Sequence, residues 1–168
     1  LLDPDVVARY ELEVQRLAAG RRVHGVEGVA DLLRLVGPLS VLEVAERLDA
    51  DGSPSVDGPP PDATSESPEA TELGDEHARV EAATQHLDAL VRAKRAIRVS
   101  IAGDERYAAI EDAGRLRDAL GTALPVGVPV AFTEPVADPL GDLVGRFART
   151  HGPFPLAALA GRLGIGIA

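Results

Sequence analysis

Apolar residues recur every three to four positions over most of the chain, and the breaks in that rhythm divide it into elements. Asp3 and Pro4 supply an N-cap and a first helical residue ahead of Val6, Val7, Tyr10, Val14 and Leu17, with Gly20 as a stop. This predicts a helix from about 4 to 19. After a connector at 21–25, a face of Val26, Val29, Leu32, Leu33 and Val36 predicts a second helix, ended by Gly37-Pro38. Ser40 and Glu43 then stand at capping-box spacing. In that arrangement the serine hydroxyl accepts from the third helical N–H and the glutamate accepts from the cap's own N–H. A third helix is expected from Val41 to about Leu48.

The rhythm stops at Asp49. From there to Gly74 the chain is rich in Pro, Gly, Ser, Thr, Asp and Glu, with Pro59-Pro60-Pro61 inside and almost nothing to bury. The stretch reads as a disordered acidic surface insertion serving as a spacer. A domain tolerates such a loop because each doubling of its length adds only about 0.6 kcal/mol of closure entropy. Val80, Ala83, Leu87, Leu90 and Val91 share one side of a helix expected from Asp75 to about Lys94, the longest of its unit. Residues 97–101 alternate apolar and polar, 102–105 supply a turn, and 106–110 return as a partner strand, the pattern of a β-hairpin. Glu111 or Asp112 opens another helix that runs through Leu116 to Leu120 and closes at Gly121.

Helix, turn, helix, long helix, hairpin is the order of a winged helix-turn-helix, a mainly α fold with a small β-hairpin wing, α+β in class. An internal repeat supports this order. Residues 31–48 align without gaps to 146–163, with six identities that include both Gly-Pro pairs, Gly37-Pro38 and Gly152-Pro153. The glycines leave a helix at little cost, and the prolines prevent its continuation. Leu39 and Phe154 follow as apolar anchors. The expected organisation is a linking helix over 1–24, a winged helix over 25–124 interrupted by the 49–74 insertion, and a connector with the first two helices of a second winged helix over 125–168. The absence of a starting Met and the stop within an element suggest a fragment cut inside a tandem array.

Composition narrows the chemistry. The chain has no Cys or Met, which removes disulfides, thiolate metal sites and thiol nucleophiles. No apolar run reaches the roughly 20 residues that span a bilayer, so a cytoplasmic protein without a membrane partner is expected. His24, His77, His86 and His151 lack metal-ligand spacing, so no metal site is expected. No Gly-rich loop ending in Gly-Lys-Ser/Thr occurs, and the single lysine, Lys94, follows Arg-Ala. Asp75-Glu76-His77 has no apolar strand before it, and Gly161, Gly164 and Gly166 read as a turn after a helix rather than a phosphate loop. No catalytic or cofactor-binding residue is expected in this segment.

The net charge of −10 is unevenly distributed. Nine acids and no base lie between Asp49 and Glu76, and the remainder carries 18 acids against 17 bases. On the long helix the face opposite the apolar stripe carries Glu81, Gln85, Asp88 and Arg92, with Asp88 and Arg92 spaced to pair with each other. Basic character gathers at the helix end and the wing, in Arg92, Lys94, Arg95, Arg98 and Arg106, the candidate DNA-binding set. A solvated edge or a contact with a neighbouring domain would use the same residues.

Several stretches resemble the Lhr, or large helicase-related, family of bacterial ATP-dependent DNA helicases. They are LDPDVVARYE at 2–11, GVEGVADLLRLVGPLS at 25–40, EDAGRLRDAL at 111–120, EPVADPLGDLV at 134–144 and RTHGPF at 149–154. The resemblance implies a place after the helicase core, in a tandem array of winged helices. It also implies an ATP- and Mg2+-dependent parent chain that translocates 3′-to-5′ on single-stranded DNA, unwinds duplexes including RNA–DNA hybrids and serves DNA repair. The segment would then be a scaffold or an auxiliary nucleic-acid contact among neighbouring helicase and winged-helix domains. The 49–74 insertion is longer than that array implies. An independent winged-helix transcriptional regulator is the alternative, and a winged-helix glycosylase a third reading.

Overall fold

Five buried residues on one face of α2 (Gly25–Val36), namely Val29, Ala30, Leu32, Leu33 and Val36, set the centre of the molecule. The computed structural model describes residues 3–49 and 68–166. Against that face lie α3 (Val41–Glu46) and α4 (Pro68–Arg92), which contributes Ala83, Leu87 and Leu90. The Ser40 capping box is present: Ser40 Oγ accepts from Glu43 N at 3.2 Å, and Glu43 Oε2 accepts from Ser40 N at 2.8 Å. Strands β1 (Ala96–Ile101) and β2 (Asp104–Ala109) form the antiparallel hairpin. Between α2 and α3, Leu39 exchanges both backbone hydrogen bonds with Tyr107 at 3.0 and 2.7 Å, adding a one-residue third strand to the wing. This is winged-helix architecture, α+β as expected.

The hairpin is covered on both faces. Ala96, Tyr107 and Ala109 join the α2–α3–α4 core. Ile97, Val99, Ile101 and Ala108 join a second core with Ile110, Ala113, Leu116 and Leu143. That core brings in a 3₁₀ turn (Ile110–Asp112), α5 (Ala113–Leu120) and α6 (Pro139–Thr150). Helix α7 (Leu156–Leu163) follows, and the turn after it reaches the hairpin tip, where a Cβ on Gly164 would stand 3.1 Å from Ala102 Cα.

Four boundaries differ from expectation. Helix α1 (Pro4–Val14) is capped by Asp3 as predicted but stops before Gly20, because Arg16 takes a left-handed φ of 62°. The Gln15 carbonyl, which a continuing helix would use, accepts instead from Arg47 Nε at 2.9 Å. Val6 and Tyr10 of its apolar stripe are exposed. Helix α3 ends at Glu46, with Arg47 as its C-cap. Helix α4 begins at Pro68, so 68–74 of the expected disordered insertion is helical, while 50–67 lies outside the described residues. Proline in the first turn and acids near a helix N-terminus favour that start without any core to bury. The hairpin turn is two residues, Ala102 and Gly103 at φ 56° and 88°, rather than four. Two-residue turns with positive φ match the twist of paired strands.

Candidate nucleic-acid interface

The five candidate cations do not form one open surface. Arg92 and Lys94, at the end of α4, are exposed, and neither enters an ion pair among the described residues. Arg95 forks onto Glu27 of α2, with N–O distances of 2.5 and 2.7 Å. The hydrogen bond from Arg95 lowers the Glu27 carboxyl below its ordinary value. Arg98 lies over the Tyr107 ring at 5.2 Å and pairs with Asp88 at 3.4 Å and Glu105 at 3.8 Å. Asp88 therefore does not pair with Arg92 through its side chain, as expected from their spacing; Arg92 Nε reaches only the Asp88 carbonyl, at 3.3 Å. Arg106 points inward, 8% exposed, onto Glu43 at 3.0 Å. On the outer face of α4, opposite its buried stripe, Glu81, Gln85 and Arg92 are exposed and Asp88 is half-buried, a mixed rather than a basic set. A helix that reads DNA in a groove presents bases or phosphates with donors and positive charge, and this mixed face offers a single positive charge, Arg92.

The strongest electrostatic feature is instead a pair of acids that join the elements. Glu43 accepts from Arg106 on the hairpin at 3.0 Å and from Arg162 on α7 at 2.7 Å, besides closing its own capping box. Burial pushes the Glu43 carboxyl up, but the hydrogen bonds from Arg162 and the Ser40 N–H and the charges of both arginines outweigh it, so the net shift is downward. Asp112, 3% exposed, is held by Arg115 and by both terminal nitrogens of Arg146 on α6, one of them at 2.7 Å. The same hydrogen bond raises the Arg146 guanidinium above its ordinary value.

Arg162 also donates to the Pro38 carbonyl at 3.0 Å, across 124 positions of chain. Its counterpart in the first copy of the repeat is Arg47, which donates to the Gln15 carbonyl and to Gln15 Oε1, both at 2.9 Å. In each helix pair the same arginine thus reaches back to grip the preceding element. Arg47 and Arg162 form one of the six identities of the repeat, and that identity was the signal from which their role could have been read.

The turn residues have distinct settings. Gly37 caps α2 at φ 102° and ψ −157°, whereas Gly152 and Pro153 follow the extended His151 that ends α6. His24 caps α2 and His151 caps α6. His151 stacks on Phe147 at 3.5 Å, and burial lowers its pKa. Among the described residues no acid–histidine cluster could hold a metal ion, and no helix is long and apolar enough to cross a membrane.

Two comparisons bear on identity. The family described as "Large helicase-related protein, winged-helix domain" matches residues 1–67 and 67–135. Among curated proteins, "Lhr helicase/ probable uracil glycosylase" of Mycolicibacterium smegmatis is 44% identical over 99% of the chain. "Lhr helicase/uracil glycosylase" of Escherichia coli is 38% identical over 100% of it. The chain spans only 9% of the length of each of these relatives.

Proposed function

Because the chain belongs to the winged-helix family of large helicase-related proteins, we propose that it is an accessory segment of an ATP-driven 3′-to-5′ DNA helicase in DNA repair, acting as the scaffold between successive helical units. Its partners are the neighbouring helicase and winged-helix domains and, through the longer chain, single-stranded DNA or an RNA–DNA hybrid. ATP and Mg2+ belong to the motor of that longer chain. The site of action is the cytoplasm, at the nucleoid.

The observation that carries the scaffold reading is the backward grip of Arg162 on Glu43 and Pro38, matched in the first copy by Arg47 on Gln15. Removing one partner of a buried ion pair leaves the other charge uncompensated, at a cost of about 3–5 kcal/mol. Asp112 with Arg146 is such a pair. An operator-reading regulator is disfavoured by the mixed, not basic, outer face of α4 and by a hairpin buried on both faces. We assign none of the glycosylase activity named for the relatives to this segment, since Glu43 and Asp112 are each held by two arginines.

The test is Arg162→Ala and Asp112→Asn, each in the full-length chain, with DNA-stimulated ATP hydrolysis and strand unwinding measured beside DNA affinity. A scaffold role predicts several-fold slower unwinding per ATP hydrolysed with DNA affinity and its salt dependence unchanged. Loss of affinity in proportion to the loss of unwinding would transfer the role to direct DNA contact.

A further inference from the structure

Five arginines gather away from the wing at two adjoining hollows of about 450 and 530 Å³ between α1, the turn at 15–22, α2 and the last turn of α6. Arg16, Arg21, Arg22, Arg34 and Arg149 line them with only Glu13 and Asp31 as acids, in a chain whose net charge is −10, and of the five Arg34 alone is firmly paired, with Asp31 at 3.1 Å and Glu111 at 3.3 Å. Arg16, Arg22 and Arg149 enter no ion pair among the described residues, and Arg22 Nε is buried without a hydrogen-bond partner. Arg21 has only a 3.9 Å approach to Glu13. Two large apolar side chains stand in the same hollow, Tyr10 at 64% and Leu35 at 41% exposure.

The cleft is held in shape. Arg16 keeps a φ of 62°, a conformation that L-residues other than glycine resist and that persists where the surroundings impose it. Here the imposing group is Arg47, 5% exposed, which grips the carbonyl and the side chain of Gln15 next to it. Gln15 is tied in turn to Glu11 at 2.8 Å. A buried arginine thus sets the direction of one that lines the cleft.

We propose that this cleft binds single-stranded nucleic acid, with phosphates on Arg16, Arg21 and Arg149 and a base against Tyr10 and Leu35. Single strands offer accessible base faces beside their phosphates, and proteins hold them with arginines and aromatic platforms together. A duplex keeps its bases inside and would leave Tyr10 and Leu35 with nothing to cover. This contact goes beyond the scaffold reading and uses none of its residues except Arg47, which positions Arg16.

The test uses the full-length chain with Arg16→Gly and Arg149→Ala combined. Glycine adopts positive φ freely, so the first change removes the charge and keeps the turn. Fluorescence anisotropy with labelled oligo-dT and oligo-rU, between about 50 and 200 mM salt, gives the salt slope of binding. Two lost phosphate contacts should reduce that slope by about 1.4 and weaken binding roughly ten-fold at the lower salt. A loss with oligo-dT alone assigns the cleft to DNA, and a loss with both assigns it to either strand. Photo-crosslinking from halogenated bases should mark Tyr10 and disappear in Tyr10→Leu. An unchanged slope with cross-links confined to the wing overturns the proposal. A lowered melting temperature with unchanged binding overturns it equally, since the cleft would then be a seat for another protein domain. The scaffold variants change unwinding and not this slope, so the two readings fail separately.

Discussion

The helix pair α2–α3 and its copy α6–α7 share six of the 18 aligned residues at 31–48 and 146–163, yet they are buried very differently. The first pair buries five residues of α2 beneath α4 and the hairpin, while α6 buries only Leu143 and Thr150. Leu156, the first residue of α7, is 63% exposed. The repeat unit therefore specifies two helices and the turn between them, and the elements that follow each copy decide how deep its core becomes. The shared Gly-Pro pair makes the same point at one residue. Gly37 adopts φ 102° and ψ −157°, a region open almost only to glycine. Gly152 has no such φ, and what it needs is room, because a Cβ there would stand 2.9 Å from Glu11 Oε2 and 3.2 Å from Val7 Cγ1. One letter in two aligned positions answers two different constraints.

The largest expected effect contrasts Leu32 with Phe147, which occupies the aligned position. Leu32 is 1% exposed in the main core, so Leu32→Ala should cost about 3 kcal/mol. Phe147 is half-buried and stacks on His151 with Phe154 edge-on at 4.8 Å, so Phe147→Ala should cost about 1.5 kcal/mol. Denaturant unfolding measures both, and equal losses would break the contrast in burial. Next come the glycines. Gly37→Ala should cost about 2 kcal/mol through its backbone. Gly152→Ala should cost under about 1 kcal/mol, because the Glu11 side chain can shift to another rotamer. Reversal of that order would mean that close packing, not φ, governs the turn.

The smallest effect is a pH dependence carried by Glu43, whose aligned counterpart is Ala158. Its folded carboxyl lies below the reference value of 4.5. The stability it contributes is complete above the unfolded value and is lost as pH falls through the lower folded value. The advantage of the natural chain over Glu43→Gln should thus hold near neutrality and shrink on acidification below 4.5. Thermal melts of the two proteins across that range supply the measurement, and a difference independent of pH would remove the charge from the explanation.

These contrasts also show which features a sequence makes legible. The stripe on α2 and the Ser40–Glu43 box depend on residues three or four apart, and both stand as read. The grips on the wing do not: Arg95 meets Glu27 across 68 positions and Arg106 meets Glu43 across 63, and no local pattern announces such partners. Reading them as open cations treated each by itself. The end of α1 was hidden in the same way, since the competing donor for the Gln15 carbonyl is 32 positions distant. The start of α4 was missed for the opposite reason. Residues 72–78 are all exposed, so no apolar stripe marks the turns before Val80, and the expected start at Asp75 fell short of Pro68. Arg16 and Arg149 lie far apart in sequence and meet only because α1 and α6 pack together.

The backward reach of Arg47 and Arg162 gives the array an order of assembly. Each helix pair fastens onto chain that the ribosome has already released, so no pair waits for a residue of the next one to complete its own grip. When α7 emerges, Glu43 is already engaged by Ser40 and Arg106, and Arg162 docks onto a finished surface. A further copy added downstream would leave the folded part undisturbed. Arrays built on this rule can lengthen by duplication at their growing end without relearning how to fold.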